Sequence, residues 1–254
     1  MRNEEGARKG IRHRSRTSRI TSNDMQVAIL AGGLATRLGN QIGERPKSMV
    51  TIGGKPFLEY QLEMLKKNGI QDIVLCLGHL GKQIQAYFGD GSKFEMNVSY
   101  SFEDKLLGTA GALKKAEGLL SDVFFTLYGD SYLFLDFQSA MSFFLRQNKL
   151  ALMTVYKNFD QYDASNTAVD GSVVKQYSKK EKSPDMVYIE YGANIFKKEV
   201  LNIVPENRFY SLDELFPRLI EMGELLAFKV KERFYEIGSP QGLKELEEYI
   251  RRAK

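Results

Sequence analysis

The sequence predicts an α/β protein organised around a doubly wound, mainly parallel sheet, and two observations lead to that prediction. Between residues 25 and 135, short apolar runs typical of buried parallel strands alternate with segments whose apolar residues recur at helical spacing. Two of the apolar runs, residues 27–30 and 123–127, lead into glycine-containing polar loops. Because open sheets of this class bind ligands at the carboxyl ends of their strands, we expect the functional site at that edge.

The elements alternate in the first half of the chain and become mixed in the second. Asn68-Gly69 ends a helix, the alternation over 98–102 is typical of an edge strand, and Asp170-Gly171 predicts a hairpin turn. The last segment is amphipathic and predicts a helix. The predicted strands are 27–30, 73–77, 98–102, 123–127, 150–155, 167–169, 173–177, 187–196, 225–230 and 233–237, and the predicted helices are 57–67, a segment around 84–88, 107–120, 197–203, 211–222 and 240–252.

Composition limits the kind of protein. The chain has 254 residues and is 43% hydrophobic, which is ample for a core, and no apolar run approaches the ~18–20 residues of a membrane span. The single cysteine, Cys76, lies inside an apolar run and is expected to be a buried, inert thiol without a disulfide partner. These features fit a cytoplasmic protein and exclude a disulfide scaffold.

The net charge of +4 belongs to the first 24 residues, which carry seven basic and three acidic side chains. The rest of the chain is therefore neutral overall, and nothing in it indicates a nucleic-acid partner. We expect residues 1–24 to form a disordered basic extension and 25–254 to form a single domain.

The loop after the first strand has the composition of a polyphosphate site. Gly32 and Gly33 let backbone N–H groups turn towards an anion, and Thr36, Arg37 and Lys47 add a hydroxyl and two cations. The spacing matches neither G-x-x-x-x-G-K-[ST] nor G-x-G-x-x-G. At the end of residues 123–127, Asp130 follows Gly129, and a carboxylate in that position can hold Mg²⁺ together with phosphate oxygens.

Five segments together resemble the sugar-1-phosphate nucleotidyltransferases. The first loop resembles L-A-G-G-x-G-T-R-L…P-K, with Ala35 in place of the family's third glycine. The resemblance implies a Rossmann-like, GT-A-like mixed sheet with a small antiparallel sugar-binding part and no C-terminal β-helix. It also implies that 25–135 is the nucleotide-binding half of the domain and 136–254 the sugar-binding half. The other four segments are L-G-T-A-G-A at 107–112, G-D at 129–130, the sugar-binding strand at 190–194, and Glu236-Ile237-Gly238-Ser239-Pro240, which resembles D-I-G-T-P.

The resemblance implies roles for residues on the nucleotide side. Arg37 would meet the β- and γ-phosphates, and Lys47 the α-phosphate and the attacking phosphate. Glu103 falls where the family has a base-reading residue, and a carboxylate, which only accepts hydrogen bonds, suits guanine or uracil better than cytosine. Catalytic roles are expected for Arg37, Lys47 and Asp130, and nucleotide contacts for Leu30, Gly32, Gly33, Thr36, His79, Glu103, Gly108 and Thr109.

The resemblance also implies a sugar site and a metal site. Lys179 or Lys180 would meet the sugar phosphate, with the register ambiguous by one residue. Mg²⁺ is the implied cofactor, held by Asp130 and Glu236, although glutamate is one methylene longer than the family's aspartate and would reach the metal through a different geometry or a water. Sugar contacts are expected for Gly129, Lys179, Glu190, Gly192 and Asn194.

The implied reaction joins a nucleoside triphosphate and a sugar-1-phosphate to give a nucleotide-sugar and pyrophosphate. GTP with a manno-heptose- or mannose-1-phosphate is the expected pair, and a UTP- or dTTP-dependent enzyme is the near alternative. A non-catalytic nucleotide-sugar sensor is an alternative of another class. A glycosyltransferase of the GT-A type would need a D-x-D motif, which Asp130-Ser131-Tyr132 lacks. No membrane partner is expected, and a homodimer is left open.

Overall fold

The structure is a computed structural model that describes residues 24–33 and 45–252. The described strands are β1 Gln26–Leu30, β2 Thr51–Ile52, β3 Lys55–Pro56, β4 Asp72–Leu77, β5 Asn97–Phe102, β6 Val123–Tyr128, β7 Ser131–Tyr132, β8 Ala151–Lys157, β9 Thr167–Asp170, β10 Val173–Tyr177, β11 Tyr188–Lys197, β12 Leu225–Val230 and β13 Tyr235–Glu236. The described α-helices are α1 Phe57–Lys67, α2 Gly81–Phe88, α3 Gly108–Lys115, α4 Phe137–Arg146, α5 Leu212–Glu221 and α6 Pro240–Arg252.

A nine-stranded sheet organises the described part of the chain, in the order β5-β4-β1-β6-β11-β8-β12-β10-β9. Strands β5, β4, β1 and β6 are parallel to one another, β11 runs antiparallel to β6 and β8, and β12 is parallel to β8. The carboxyl ends of β1, β4, β5 and β6 therefore meet at one edge. The expected α/β class, a mainly parallel mixed sheet, is confirmed.

Helices cover both faces of the sheet, as the alternating pattern predicted. One apolar cluster joins the sheet to α1, α2 and α4, and a second joins the opposite face to α3 and α5. A smaller cluster packs α6 against β2 and the start of α1. No helix in the described ranges has the length and apolar character needed to cross a membrane. Both faces of the sheet are buried, which leaves its carboxyl-end edge for ligands.

Most predicted elements lie within a few residues of their expected positions, and the differences have local causes. The expected helix 107–120 stops at Lys115 and is followed by a short 3₁₀ helix, Glu117–Leu119, which contains the poor helix former Gly118. The expected helix 197–203 is a 3₁₀ helix, Lys198–Asn202. The expected strand 233–237 is reduced to β13, because its antiparallel partner β7 has only two residues.

Helix α4 is an element that the sequence analysis did not assign. Its apolar residues recur at helical spacing, and four of them are buried in the first cluster: Phe137, Ala140, Met141 and Phe144. Asp136 caps the amino end, since its Oδ1 accepts a hydrogen bond from the Ser139 N–H at 2.9 Å. Both signals, the spacing and the cap, were present in the sequence.

Candidate active site

A cavity of about 210 Å³ lies at the carboxyl ends of β1, β4, β5 and β6. Backbone hydrogen bonds continue from the strands into its walls, with Ala31 N donating to Cys76 O at 2.9 Å and Gly129 N donating to Leu30 O at 3.0 Å. The cavity brings together nine of the residues that the sequence singled out: Leu30, Gly32, Gly33, Lys47, Glu103, Gly108, Thr109, Gly129 and Asp130.

Glu103 forms part of one wall because the backbone opposite it has no side chain. Its own N–H donates to Leu77 O at 2.9 Å, which places it directly after β5, and its Oε2 accepts the Leu107 N–H at 2.9 Å. A Cβ built on Gly32 would lie 2.6 Å from Glu103 Oε1, so only glycine at position 32 allows this approach. Burial raises the pKa of the Glu103 carboxyl, and the Leu107 hydrogen bond partly offsets the rise. The side chain is a half-buried acceptor facing the cavity.

The start of α3 forms a second wall. Gly108 has φ of +75°, and a Cβ there would lie 2.7 Å from Tyr210 O, so the close contact between α3 and the 208–211 segment requires glycine. Thr109 lines the cavity, but its Oγ1 also accepts the Leu212 N–H at 2.7 Å. Thr109 therefore lines the cavity and also links its wall to the first turn of α5.

Lys47 and Asp130 meet where the cavity opens. Lys47 begins a short 3₁₀ helix, Lys47–Met49, and its Nζ lies 2.5 Å from Asp130 Oδ2. The other carboxylate oxygen of Asp130 accepts from the Ser131 hydroxyl at 3.2 Å. The two charged groups come from opposite sides of the cavity, 83 residues apart in the sequence.

Glu236 lies beside this pair. In the antiparallel pairing of β13 with β7, Glu236 is opposite Ser131, and Ile237 N donates to Asp130 O at 2.9 Å. A Cβ on Gly238 would lie 2.5 Å from Glu236 Oε2 and 2.8 Å from Lys47 Nζ, so the carboxylate and the ammonium share one small space. The Glu236 carboxylate accepts from the Ser239 hydroxyl at 2.5 Å and from the Gly238 N–H, within its own turn.

The donor set at this point fits a magnesium ion. Asp130, immediately before β7, and Glu236, on β13, supply carboxylate oxygens, and Mg²⁺ is commonly bound by one or two carboxylates together with substrate phosphates. Within residues 24–33 and 45–252, no group of three or more His, Cys, Asp or Glu side chains could form a cage made of protein alone. An ion here would depend on the phosphates of the substrate.

A second polar cluster contains residues for which the sequence analysis expected sugar contacts. Glu190 is 7% exposed, and its carboxylate accepts from Asn194 Nδ2 at 3.0 Å and from the Tyr128 hydroxyl. Burial raises the pKa of Glu190, against a lowering effect of Lys179. Gly192 has φ of +93° and lies in an irregular part of the pairing between β11 and β8. There, the segment from Glu190 to Asn194 on β11 lies opposite the shorter segment from Val155 to Met153 on β8.

The sequence left open whether Lys179 or Lys180 would meet the sugar phosphate, and the two side chains have different surroundings in the structure. Lys179 Nζ lies 2.9 Å from Asp213 Oδ1 and 5.9 Å from the centre of the Tyr128 ring, so it faces this cluster. Lys180 is exposed. Asp213 is a carboxylate at the start of α5, as the sequence indicated, but it also binds Lys179 and Tyr177, which sequence reasoning missed. No local pattern identifies that contact, because its partners lie on β10 and in the loop after it.

Four further predictions concern single positions. His79 is exposed in the turn after β4 and does not line the cavity. Thr36 and Arg37 lie outside the described residues. Cys76 is buried, as expected, and lines the cavity. Burial and the nearby Glu103 raise the pKa of its thiol to about 12, so the thiol stays protonated and unreactive near neutral pH.

Comparisons with known proteins identify the family of this chain. The profile of the family described as Nucleotidyl transferase matches residues 26–252. A UTP–glucose-1-phosphate uridylyltransferase from Synechocystis is 32% identical over 219 residues, covering 78% of this chain and 56% of the relative. A D-glycero-alpha-D-manno-heptose 1-phosphate guanylyltransferase from Campylobacter jejuni is 30% identical over 218 residues, covering 85% of this chain and 96% of the relative.

A solved structure shows the same fold. HddC from Yersinia pseudotuberculosis, crystallised with GMP-PN, is 27% identical, has a TM-score of 0.76, and the match covers 89% of this chain and 99% of HddC. The resemblance expected from the sequence is confirmed, and the chain belongs to the nucleotidyl transferase family.

Proposed function

We propose that this protein transfers a guanylyl group from GTP to a sugar-1-phosphate, with a manno-heptose- or mannose-1-phosphate as the acceptor. One observation carries the proposal: the Lys47–Asp130 pair lies at the opening of a cavity that holds an acceptor for a base, next to a second cluster rich in hydrogen-bonding groups. The relatives named as heptose- and mannose-1-phosphate guanylyltransferases support it, as does the GMP-PN bound to HddC.

The base preference rests on Glu103. A carboxylate can accept from both the N1–H and N2–H₂ groups of guanine, and although Oε2 already receives the Leu107 N–H, each oxygen has two lone pairs. Uracil and thymine offer one N–H, so a UTP- or dTTP-dependent enzyme is the second candidate, and the uridylyltransferase relative favours it. Cytosine offers no ring N–H on its pairing edge and fits an acceptor poorly.

The reaction requires no protein nucleophile. A phosphate oxygen of the sugar-1-phosphate attacks the α-phosphorus of GTP, a new P–O bond forms, and the bond to the β-phosphate oxygen breaks to release pyrophosphate. In phosphoryl-type transfers, alignment and neutralisation of charge supply most of the catalysis. Lys47 would meet the α-phosphate and the attacking phosphate, and Arg37 the β- and γ-phosphates.

Asp130 and Glu236 would hold Mg²⁺, which neutralises phosphate charge and orients the two reactants when it is bound. For this, Lys47 must exchange its contact with Asp130 for a contact with phosphate. The contact of Lys47 with Asp130 at the cavity supports this role, because the ammonium group already lies beside the proposed metal ligand.

On the sugar side, Glu190 and Asn194 would accept and donate hydrogen bonds to sugar hydroxyls, and Lys179 would meet the phosphate. Gly129 and Gly192 would leave room for the ring.

The experiment that tests the function is pyrophosphate release by the full-length protein with Mg²⁺, crossing GTP, UTP, dTTP, CTP and ATP with a panel of sugar-1-phosphates. Release that requires GTP and one sugar supports the proposal. Release confined to UTP or dTTP supports the second candidate. Binding of nucleotide-sugar without any release would instead support the sensor, for which Ala35 and Glu236 are the departures from the family pattern.

A further inference from the structure

We propose that Asp213, on the first turn of α5, is a positioning residue that holds the ammonium group of Lys179 and the hydroxyl group of Tyr177 on the sugar-phosphate side of the cleft. The proposal deepens the proposed function and rests on it, because it assigns Asp213 a part in binding the sugar-1-phosphate. Asp213 acts through Lys179 and need not touch the reacting atoms.

The contacts of Asp213 converge on one of its oxygens. Oδ1 accepts from the Tyr177 hydroxyl at 2.7 Å and from Lys179 Nζ at 2.9 Å. The Tyr177 hydroxyl also lies 3.2 Å from Glu190 Oε2, but it has a single proton, and the shorter contact indicates that Asp213 receives it. Asp213 therefore determines where this hydroxyl points and leaves Glu190 to its other donors, Asn194 and Tyr128.

Lys179 needs such a partner because neither a helix nor a strand fixes the direction of its side chain. It lies in the loop that follows β10, about half of its side chain is exposed, and its long stem has many rotamers. Burial lowers the pKa of its ammonium group, but the carboxylates of Glu190 and Asp213 outweigh that effect and the net shift of the pKa is upward. The group is held as a cation beside the Tyr128 ring, where a phosphate can reach it.

The first turn of α5 is well suited to hold a second side chain in place. Ser211 and Glu214 form a reciprocal capping box, so the cap of the helix does not depend on Asp213. The Leu212 N–H donates to Thr109 Oγ1 at 2.7 Å, and the Tyr177 ring packs edge-on against Phe216 with 5.0 Å between ring centres. This turn thus connects Thr109 on the nucleotide side with Tyr177 and Lys179 on the sugar side.

The decisive variant is Asp213→Asn in the full-length protein, because asparagine keeps an acceptor for Tyr177 and removes the charge that orients Lys179. We expect the KM for the sugar-1-phosphate to rise about tenfold or more, the scale of losing one charge-assisted hydrogen bond, while the KM for the nucleotide changes by less than about twofold. Asp170→Asn is the matched control: it removes a carboxylate that faces Lys175 at 4.0 Å on the exposed β9–β10 hairpin, and both KM values should stay unchanged.

A double-mutant cycle separates positioning from a structural role. If Asp213 acts through Lys179, Asp213→Asn added to Lys179→Ala should raise the KM for the sugar-1-phosphate no further than Lys179→Ala alone. Fully additive effects, or equal increases in both KM values with a lowered melting temperature, would overturn the inference. If the wild-type protein releases no pyrophosphate with any pair of substrates, the proposed function itself is refuted. The failure of the inference and the failure of the proposed function are therefore distinguishable.

Discussion

Lys47 Nζ lies 2.5 Å from Asp130 Oδ2, and both residues line the cavity at the carboxyl ends of the parallel strands. The two side chains are 20% and 36% exposed, so water screens this ion pair only in part. In the function that we propose, Asp130 holds Lys47 as a cation near the reacting phosphates before any substrate binds.

The first prediction is that Lys47→Ala loses about 10²–10³-fold in turnover, the scale of removing one preorganised charge donor. Steady-state pyrophosphate release at saturating substrates measures it. Lys66→Ala is the matched control, since Lys66 pairs with Glu95 at 2.8 Å away from the cavity. Wild-type turnover in Lys47→Ala would show that the ammonium group has no role in the transition state.

The second prediction concerns base selection by Glu103. In Glu103→Gln one acceptor oxygen becomes a donor, so the two N–H groups of guanine can no longer both be satisfied, and kcat/KM for GTP should fall about 10–100-fold. Uracil pairs an N–H with a carbonyl and suits an amide, so kcat/KM for UTP should fall less or rise. The neighbouring Asp104→Asn, which changes an exposed side chain, should leave the ratio unchanged. An unchanged GTP/UTP ratio in Glu103→Gln would assign base reading to another residue.

The third prediction is that the free energy of unfolding and the affinity for GTP change in opposite directions as pH rises through the pKa of Glu103. Burial raises the pKa of Glu103 in the folded protein, so this group contributes stability below its unfolded-state pKa, and the contribution is lost as pH rises through the folded-state value. GTP affinity should change in the other direction over that window, because the N–H groups of guanine need the ionised acceptor.

Calorimetric GTP titrations and chemical unfolding across this acidic range measure the two effects. Glu190, whose pKa is also raised by burial, contributes to the stability curve of both proteins, so the difference between wild type and Glu103→Gln isolates Glu103. If the two proteins show the same pH profile of GTP affinity, Glu103 does not contact the base.

The fourth prediction addresses the metal site. Glu236→Gln keeps the size of the side chain and removes its charge, and the affinity for Mn²⁺ in the presence of GTP should fall about tenfold, as expected for losing one of two anionic ligands. Electron paramagnetic resonance of free Mn²⁺ measures this without turnover. Glu232→Gln, at an exposed position on the same segment, is the control. Unchanged Mn²⁺ affinity would mean that Glu236 only stabilises its own turn through Gly238 and Ser239.

The nucleotide half of the site was the more predictable part. Its residues lie at or just after strand ends: Leu30 is the last residue of β1, Glu103 follows β5, and Asp130 lies two residues after β6. In a parallel sheet, strand ends share an edge, so a strand pattern already places such residues together. The assignment of these residues to one cavity agrees with the structure.

The sugar half depended on contacts that no local pattern contains. Tyr177 and Asp213 are 36 residues apart and meet because β10 packs against α5, and the contact of Lys179 with Asp213 likewise depends on that packing.

The sequence by itself determined the alternation of strands and helices, the glycines that line the nucleotide cavity, and the family, because apolar periodicity and glycine placement act over a few residues. Only the tertiary structure decided which charged side chains neutralise one another: Lys47 with Asp130, and Lys179 with Asp213. Ion pairs form between whichever groups the packing of distant elements brings within about 4 Å, and that distance is a property of the folded chain.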